Sequence, residues 1–198
     1  MRMTHLKETL MTNDEAKADL AALVRSYREH PLHAEETATI DRYLAFIGAR
    51  ASCFLRSCLE GHVTGSAFIV NEALDKVLLV HHRKLDKWLQ PGGHCERGES
   101  ALLAAQREAH EETGIAGRVA LGGALFDLDI HPIPERGQEP AHYHYDARFL
   151  LIAREDEPIL NDESHALAWL SIAEALWRNP EPSMVRPLSR LPGMAPVF

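Results

Sequence analysis

The sequence predicts an α/β fold in which helices pack on a mixed β-sheet and an N-terminal helical extension precedes the sheet. Residues 1–60 carry apolar side chains at helical spacing, whereas short strand-like runs begin after His62. From there strands and helices are interspersed without a regular βαβ rhythm, which indicates a mixed sheet. The 198 residues suffice for one domain with a buried core. We therefore expect the extension in residues 1–60 and the main domain in residues 61–198.

Two helices are predicted in the extension. Asn13 is expected to cap the first helix and Pro31 to end it. The apolar residues of the first helix recur at helical spacing: Leu20, Leu23, Val24 and Tyr27. The second helix carries an equivalent stripe: Ile40, Tyr43, Leu44 and Ile47. Such a pair can pack on the main domain, wall off a substrate site or make a homodimer contact.

The main domain opens with a predicted hairpin of strands at residues 66–70 and 76–82. After the break at Pro91-Gly92-Gly93, residues 100–113 form a predicted helix that Gly114 terminates. The later elements are strand-rich segments at 119–131 and 141–152, a short strand at 167–170, a helix at 171–178 and an irregular Pro-rich tail at 179–198.

Composition and charge exclude several classes of protein. The formal net charge is −8 and no basic face is evident, so a polymeric nucleic acid is not the expected partner. No apolar run approaches the roughly 20 residues that span a bilayer, and residues 1–12 lack the apolar core of a signal peptide. We therefore expect no membrane contact. The three cysteines form no Cys-x-x-Cys pair, so we expect reduced thiols and a cytoplasmic location.

Three glutamates share one face near the end of the predicted helix. Glu108, Glu111 and Glu112 stand at i, i+3 and i+4, a spacing that costs roughly 0.2–0.5 kcal/mol per like-charged pair. The negative end of the helix dipole opposes them further. A divalent cation that takes oxygen ligands would offset both effects, and Mg²⁺ is such an ion. The alternative is a solvated acidic face without a ligand.

The segment from residue 93 to residue 115 reads GHCERGESALLAAQREAHEETGI. It resembles the Nudix box, Gly-x5-Glu-x7-Arg-Glu-U-x-Glu-Glu-x-Gly-U, in which U is a bulky aliphatic residue. The matching positions are Gly93, Glu99, Arg107, Glu108, Glu111, Glu112, Gly114 and Ile115. Ala109 stands at a U position and is smaller than usual. The order of the flanking strands also looks like the Nudix α/β/α sandwich.

The resemblance implies a hydrolase that depends on Mg²⁺ or Mn²⁺. It implies that Glu108, Glu111 and Glu112 bind metal, with the carbonyl of Gly92 as a further ligand, and that Arg107 forms a supporting ion pair with Glu99. The implied substrate is a small nucleotide-like diphosphate: a nucleotide sugar, ADP-ribose, a dinucleotide or a nucleoside triphosphate. The general base is one of the box glutamates or a residue outside the box, for which the sequence offers Glu135, Glu139 and Glu163.

Two other functions fit a Nudix fold. A nucleotide-sensing regulatory module would bind without turnover, but such a module is expected to lose box carboxylates. An isoprenoid diphosphate isomerase is disfavoured by the intact box and by the lack of a convincing catalytic cysteine. We therefore expect an enzyme that cleaves phosphorus-containing acid anhydrides.

Two polar triplets alternate on neighbouring predicted strands. His142, His144 and Asp146 would share one face, and the other triplet is Asp127, Asp129 and His131. This face is either a substrate cradle, with an additional metal, or the solvated side of an antiparallel sheet. The ligand spacing is not that of a standard zinc site. Trp88 is expected either to stack on a nucleobase or to pack in the core.

Overall fold

The structure is a computed structural model that describes residues 11–162 and 164–194. Helices α1 (Asn13–Glu29) and α2 (Thr37–Ala49) come first, joined by a short 3₁₀ helix. The cap of α1 is Thr12, so the prediction of Asn13 was wrong by one residue. The Thr12 hydroxyl accepts from the Glu15 amide at 3.2 Å and the Glu15 carboxylate accepts from the Thr12 amide at 2.7 Å, a reciprocal pair that Asn13 does not make.

The N-terminal helices are built into the core of the main domain. The predicted apolar stripes are confirmed, and their buried members join one hydrophobic cluster with the sheet. The Tyr43 hydroxyl donates to the Tyr145 carbonyl at 2.8 Å, and the Phe46 ring stacks on the Tyr145 ring at 3.8 Å between centroids. Within the described residues, no helix combines the length and apolar character that crossing a membrane requires.

The described residues form an eight-stranded sheet. Its strands are β1 (Gly61–Asn71), β2 (Lys76–His82), β3 (Lys87–Leu89), β4 (Gly92–His94), β5 (Arg118–Val119), β6 (Asp127–Ile133), β7 (His142–Ala153) and β8 (Ser164–Ser171). The main path runs β3-β2-β1-β7-β5, while β4 pairs with β1, β6 with β7 and β8 with β2. Strands β1 and β7 are parallel and the other pairs are antiparallel, so the predicted mixed sheet is confirmed.

Strand β1 is longer than the predicted strand at residues 66–70 and is buried along its whole length. Its first half contains mainly polar residues and glycines, so this half lacks the apolar run from which the strand was predicted. Gly65 faces helix α3 (Ala101–Thr113), and a Cβ at Gly65 would overlap the carbonyl oxygen of Ala101. Ser100 caps α3 and Gly114 ends it in the left-handed conformation, as predicted. The helix therefore lies close against β1.

The C-terminal tail is helical over much of residues 179–194, so the prediction of an irregular tail was wrong for this part of the chain. Helix α4 (Ile172–Arg178), which was predicted, is followed by α5 (Pro182–Leu188) and a 3₁₀ turn. Met184 and Leu188 are fully buried in a second core on the other face of the sheet. Pro182 stands in the first turn of α5, where proline's fixed φ favours a helix start.

A buried ionic network ties the sheet, the tail and the extension together. The Arg148 guanidinium, only 3% exposed, bonds to three carboxylates: Asp127 at 3.1 Å, Asp129 at 3.2 Å and Asp146 at 2.8 Å. Arg186 and Arg190 of the tail both bond to Asp127, and Arg190 also pairs with Glu36 of the extension. The pairing offsets the cost of burying these charges.

Candidate active site

Two of the three predicted metal ligands face a cavity of about 550 Å³. Helix α3 places Glu108 and Glu112 on the cavity wall, together with Gly92 and Gly93 of β4. The Glu111 side chain is 57% exposed and bonds to Arg107 at 3.1 Å. The three carboxylates therefore share the end of α3, and two of them form the cavity wall.

Arg107 is the centre of the acidic cluster. Its guanidinium forms the predicted ion pair with Glu99 through two bonds, of 2.9 Å and 3.1 Å. It also donates to Glu108 at 2.9 Å and to the His94 carbonyl at 2.9 Å. Burial works against ionisation of Glu99, but the hydrogen bonds from Arg107 and from the Glu96 amide outweigh it and lower the Glu99 pKa. Arg107 thus holds the carboxylates in place against β4.

Glycines bring the backbone of β4 against the carboxylates. The Gly92 amide donates to Glu112 at 3.0 Å. A Cβ at Gly93 would lie 2.5 Å from both the carboxyl carbon and one oxygen of Glu108. Only glycine leaves room for Glu108 at this position. Residues 92 and 93 of the predicted break therefore begin the short strand β4. Because both are glycines, the backbone of β4 can lie directly against the two carboxylates.

The donor set fits a hard divalent cation. Glu108 and Glu112 offer carboxylate oxygens to one cavity, which is the ligand type that Mg²⁺ and Mn²⁺ prefer. Burial raises the pKa of Glu108, so its charge lacks full solvation. A cation between the two carboxylates would supply the missing charge balance. The role of each glutamate as a metal ligand, and that of the Gly92 carbonyl, stay predictions.

The polar triplets of β6 and β7 form part of the same cavity. The antiparallel register pairs His131 with His144 and Asp129 with Asp146, so the predicted hairpin and shared face are confirmed. This face is not solvated: His142 is 6% exposed and Asp146 is 3% exposed. His131, His144 and Asp146 line the cavity.

Neighbouring side chains hold Asp146 in place. Thr64 and Ser66 of β1 donate to its two carboxylate oxygens at 2.9 Å and 2.7 Å, and Arg148 donates at 2.8 Å. Thr64 and Ser66 also line the cavity, and no sequence motif marked them. The substrate contact predicted for Asp146 stays a prediction, and the structure adds two hydroxyls beside it.

Two histidines escaped the sequence analysis. His62 of β1 and His94 of β4 have ring centroids 4.7 Å apart, and both are close to the His144 ring. Burial lowers the pKa of His62 to about 4, of His94 to about 3 and of His144 to about 2. These imidazoles are therefore neutral near pH 7. The polar alternation His62, Thr64, Ser66 along β1 was the available signal.

Trp88 lies away from the cavity lining. Its ring stacks on His81 at 5.0 Å between centroids, and the Arg178 guanidinium lies 4.6 Å from the ring centre. Trp88 also packs against the second core. Its neighbour Gln90 lines the cavity and has a buried side-chain oxygen without a hydrogen-bond partner. Stacking of Trp88 on a nucleobase stays a prediction.

The candidate general bases separate by position. Glu139 lines the cavity, 4.0 Å from the Nε2 atom of His142. Glu135 is exposed and is not part of the cavity lining. Glu163 lies outside the described residues. Of the two described residues, Glu139 is the one placed where it can meet a bound substrate.

The three cysteines are free and buried, as expected for reduced thiols. Cys95 lies in the loop before α3, and burial raises its pKa, which keeps the thiol protonated near neutral pH.

The sequence model of the family described as "NUDIX domain" matches residues 61–190. The match begins at the first residue of β1 and ends at Arg190, which follows α5 and bonds to Glu36. Two curated relatives match part of the chain. A "Probable DHNTP pyrophosphohydrolase" of Lactococcus lactis subsp. cremoris is 38% identical over 97 residues, which are 48% of this chain and 56% of the relative. An "8-oxo-(d)GTP phosphatase" of Mycolicibacterium smegmatis is 31% identical over 101 residues, 51% of this chain and 29% of the relative. The matches thus span about half or less of these relatives.

Solved structures share the fold. A NUDIX family hydrolase from Clostridium perfringens superposes with a TM-score of 0.51 at 29% identity, covering 68% of this chain and 98% of that structure. The dihydroneopterin triphosphate pyrophosphohydrolase of E. coli gives a TM-score of 0.51 at 20% identity, covering 65% of this chain and 92% of that structure. The second likeness concerns the fold alone.

Proposed function

Because the chain belongs to the Nudix family, as the NUDIX match over residues 61–190 establishes, we propose that it is a pyrophosphohydrolase of a small nucleotide-like substrate. The observation that carries the proposal is the placement of Glu108 and Glu112 on one cavity wall, with Arg107 bonded behind them. The cofactor is Mg²⁺ or Mn²⁺.

The residues of the site would have different roles in hydrolysis. A bound divalent cation supplies charge neutralisation of phosphate oxygens and a lowered pKa of the attacking water. Glu108 and Glu112 would hold that cation, and Arg107, oriented by Glu99, positions Glu108. The water oxygen forms a bond to phosphorus, its proton passes to a carboxylate, and the bridging P–O bond breaks to release a phosphate-bearing leaving group. Glu139 or one of the box glutamates accepts the proton.

The cavity suits a ring attached to a phosphate chain. Its volume of about 550 Å³ lies within the usual range for small-molecule sites. Val80, Leu89 and Ile133 give it apolar wall, and the unpartnered Gln90 oxygen can accept a hydrogen bond from a ring N–H. Arg56 and Lys84 also line it and can neutralise phosphate oxygens that the cation does not reach.

The names of two relatives favour triphosphates within this class. They are a "Probable DHNTP pyrophosphohydrolase" and an "8-oxo-(d)GTP phosphatase", whereas other relatives are named for an mRNA cap and for diphosphoinositol polyphosphates. We therefore place nucleoside triphosphates first among the substrates to test, followed by nucleotide sugars, ADP-ribose and dinucleotides.

The test is a cleavage assay over that panel, with each compound incubated with Mg²⁺, with Mn²⁺ or with chelator. We expect metal-dependent cleavage of one class of compound, seen as release of pyrophosphate or phosphate from a nucleoside triphosphate, or of a nucleoside phosphate from the other compounds. Binding of a nucleotide without cleavage of any compound would refute the hydrolase and support the regulatory module.

A further inference from the structure

Three histidines, of which His62 and His142 are buried and His144 is half-buried, converge beside the cavity. His62 lies on β1, and His142 and His144 lie on the parallel neighbour β7, where the register pairs His62 with His144. One ring nitrogen of each histidine lies within 4.8 Å of the other two. The ring centroids are 4.9 Å apart for His62 and His142, 4.9 Å for His62 and His144, and 5.2 Å for His142 and His144.

The ring nitrogens that meet there have no hydrogen-bond partners. Both nitrogens of His62, Nε2 of His142 and Nε2 of His144 are buried and unpartnered. Buried polar atoms in folded proteins are almost always bonded, because leaving one without a partner costs the desolvation that burial imposes. One such nitrogen on each of three converging rings therefore indicates a ligand that the protein chain alone does not provide.

The cluster is in the protonation state that binds metal. The Nδ1 atom of His142 lies 2.8 Å from the carbonyl oxygen of Pro140. A carbonyl can only accept, so Nδ1 carries the proton and Nε2 keeps its lone pair. A backbone carbonyl that fixes the tautomer in this way is the usual outer partner of a metal-binding histidine. The His62 ring nitrogens and Nε2 of His144 have no hydrogen-bond partner that would hold a proton there.

We propose that His62, His142 and His144 bind a transition-metal ion, with Zn²⁺ as the best match. Imidazole nitrogens select zinc-like ions, whereas the carboxylates of Glu108 and Glu112 select magnesium-like ions. A zinc ion held by three histidines leaves a fourth tetrahedral position for water or a carboxylate. The site is thus separate in ligand chemistry from the glutamate pair and does not rest on the proposed hydrolase activity.

The geometry is within reach of a tetrahedral site. Zinc–nitrogen bonds of about 2.0–2.1 Å place ligand nitrogens about 3.3 Å apart. The three nitrogens, now within 4.8 Å of one another, would have to approach by at most about 1.5 Å. Glu139 approaches the cluster, 4.0 Å from the Nε2 atom of His142, and is a candidate fourth ligand. The ligand spacing in the sequence looked non-standard because the site is assembled across two paired strands.

The location gives the site a relation to the cavity. His144 lines the cavity, and the His94 ring, also in the lining, lies 5.0 Å from it. An ion held by the three histidines would therefore lie beside the part of the cavity that His144 and His94 line. It would also place one positive centre near substrate without using the glutamate wall.

The test uses Co²⁺ as a spectroscopic substitute for Zn²⁺ on the chelator-treated full chain, in excess Mg²⁺ so that the carboxylate site is blocked. We expect one Co²⁺ per chain with the strong visible absorption of a four-coordinate site. His62→Gln, His142→Gln and His144→Gln should each weaken Co²⁺ binding by at least about tenfold. Two control variants should bind Co²⁺ like the wild type: His165→Gln, at an exposed histidine, and Glu112→Gln, at the glutamate wall.

Absence of Co²⁺ absorption in the wild type would overturn the proposal. Wild-type Co²⁺ affinity in all three histidine variants would overturn it as well. X-ray absorption of the zinc-loaded wild type needs no folded variant. It should show about three imidazole nitrogens at about 2.0–2.1 Å, and a shell of oxygen ligands alone would refute the site. Neither result depends on whether the chain cleaves any nucleotide.

Discussion

Gly93→Ala is the substitution that most directly disturbs the part of the cavity wall formed by Glu108 and Glu112. An added Cβ would lie 2.5 Å from the carboxyl carbon of Glu108 and 2.8 Å from its second oxygen. Ordinary contacts begin at 3.4 Å, so the carboxylate must retreat by about 0.9 Å. A misplacement of about 1 Å at a reacting centre can cost about 100-fold in rate. We therefore expect turnover to fall by about two orders of magnitude.

The same substitution should leave the fold intact. The atoms that must move are the end of one flexible side chain, and the Gly93 φ lies outside the left-handed region. The free energy of unfolding should change by less than about 1 kcal/mol, the scale of glycine-to-alanine effects. Activity and stability thus separate in this variant.

The assay pairs Mn²⁺ affinity, measured by electron paramagnetic resonance, with steady-state cleavage and thermal unfolding. Gly48→Ala is the matched control, because Gly48 is exposed in α2 and nothing lies within 4 Å of an added Cβ. That control should keep full activity and gain about 0.5–1 kcal/mol of stability. A Gly93→Ala protein with wild-type Mn²⁺ affinity and turnover would refute the role given to the Glu108 position.

Three further predictions test other parts of the structure. Glu112→Gln should fold normally and lose turnover by orders of magnitude, since it removes charge from the proposed cation site; an active, metal-dependent variant would contradict this. Arg148→Met should cost about 3–5 kcal/mol in urea unfolding, because three buried aspartates lose their common partner; a loss under about 1 kcal/mol would argue against the network. Asp129→Asn should reduce the free energy of unfolding most above about pH 4. Burial opposes ionisation of Asp129, but the His131 hydrogen bond and nearby arginine charges lower its pKa to about 2, so the wild-type advantage disappears as pH falls from about 4 toward 2. A difference between the two proteins that did not vary with pH would be inconsistent with that shift.

The caps of α3, the ion pair and one hairpin were predicted correctly because each depends on residues that are close together in the sequence. Ser100 and Gly114 bound α3 as the sequence indicated, and the predicted Arg107–Glu99 ion pair joins α3 to the loop before it. The β6–β7 hairpin followed from the alternation of polar residues on two neighbouring segments. In each case the partners are close in sequence, so spacing alone carried the information.

Long-range register decided what the sequence did not show. His62 meets His144 because β1 and β7 are parallel neighbours, and their separation along the chain hides that pairing. The tail helix α5 is set by burial of Met184 and Leu188 against the far face of the sheet, although its prolines indicated irregular chain. Tertiary packing overrode local propensity at both places.

The measurement that tests the central claim most directly compares the wild type with Glu112→Gln on the best nucleotide of the panel, with binding and cleavage measured in the same Mg²⁺ buffer. The account predicts that both proteins bind the nucleotide and that only the wild type releases phosphate-bearing product, with release abolished by chelator. Cleavage by both proteins at equal rates, or product release that chelator does not affect, would contradict it.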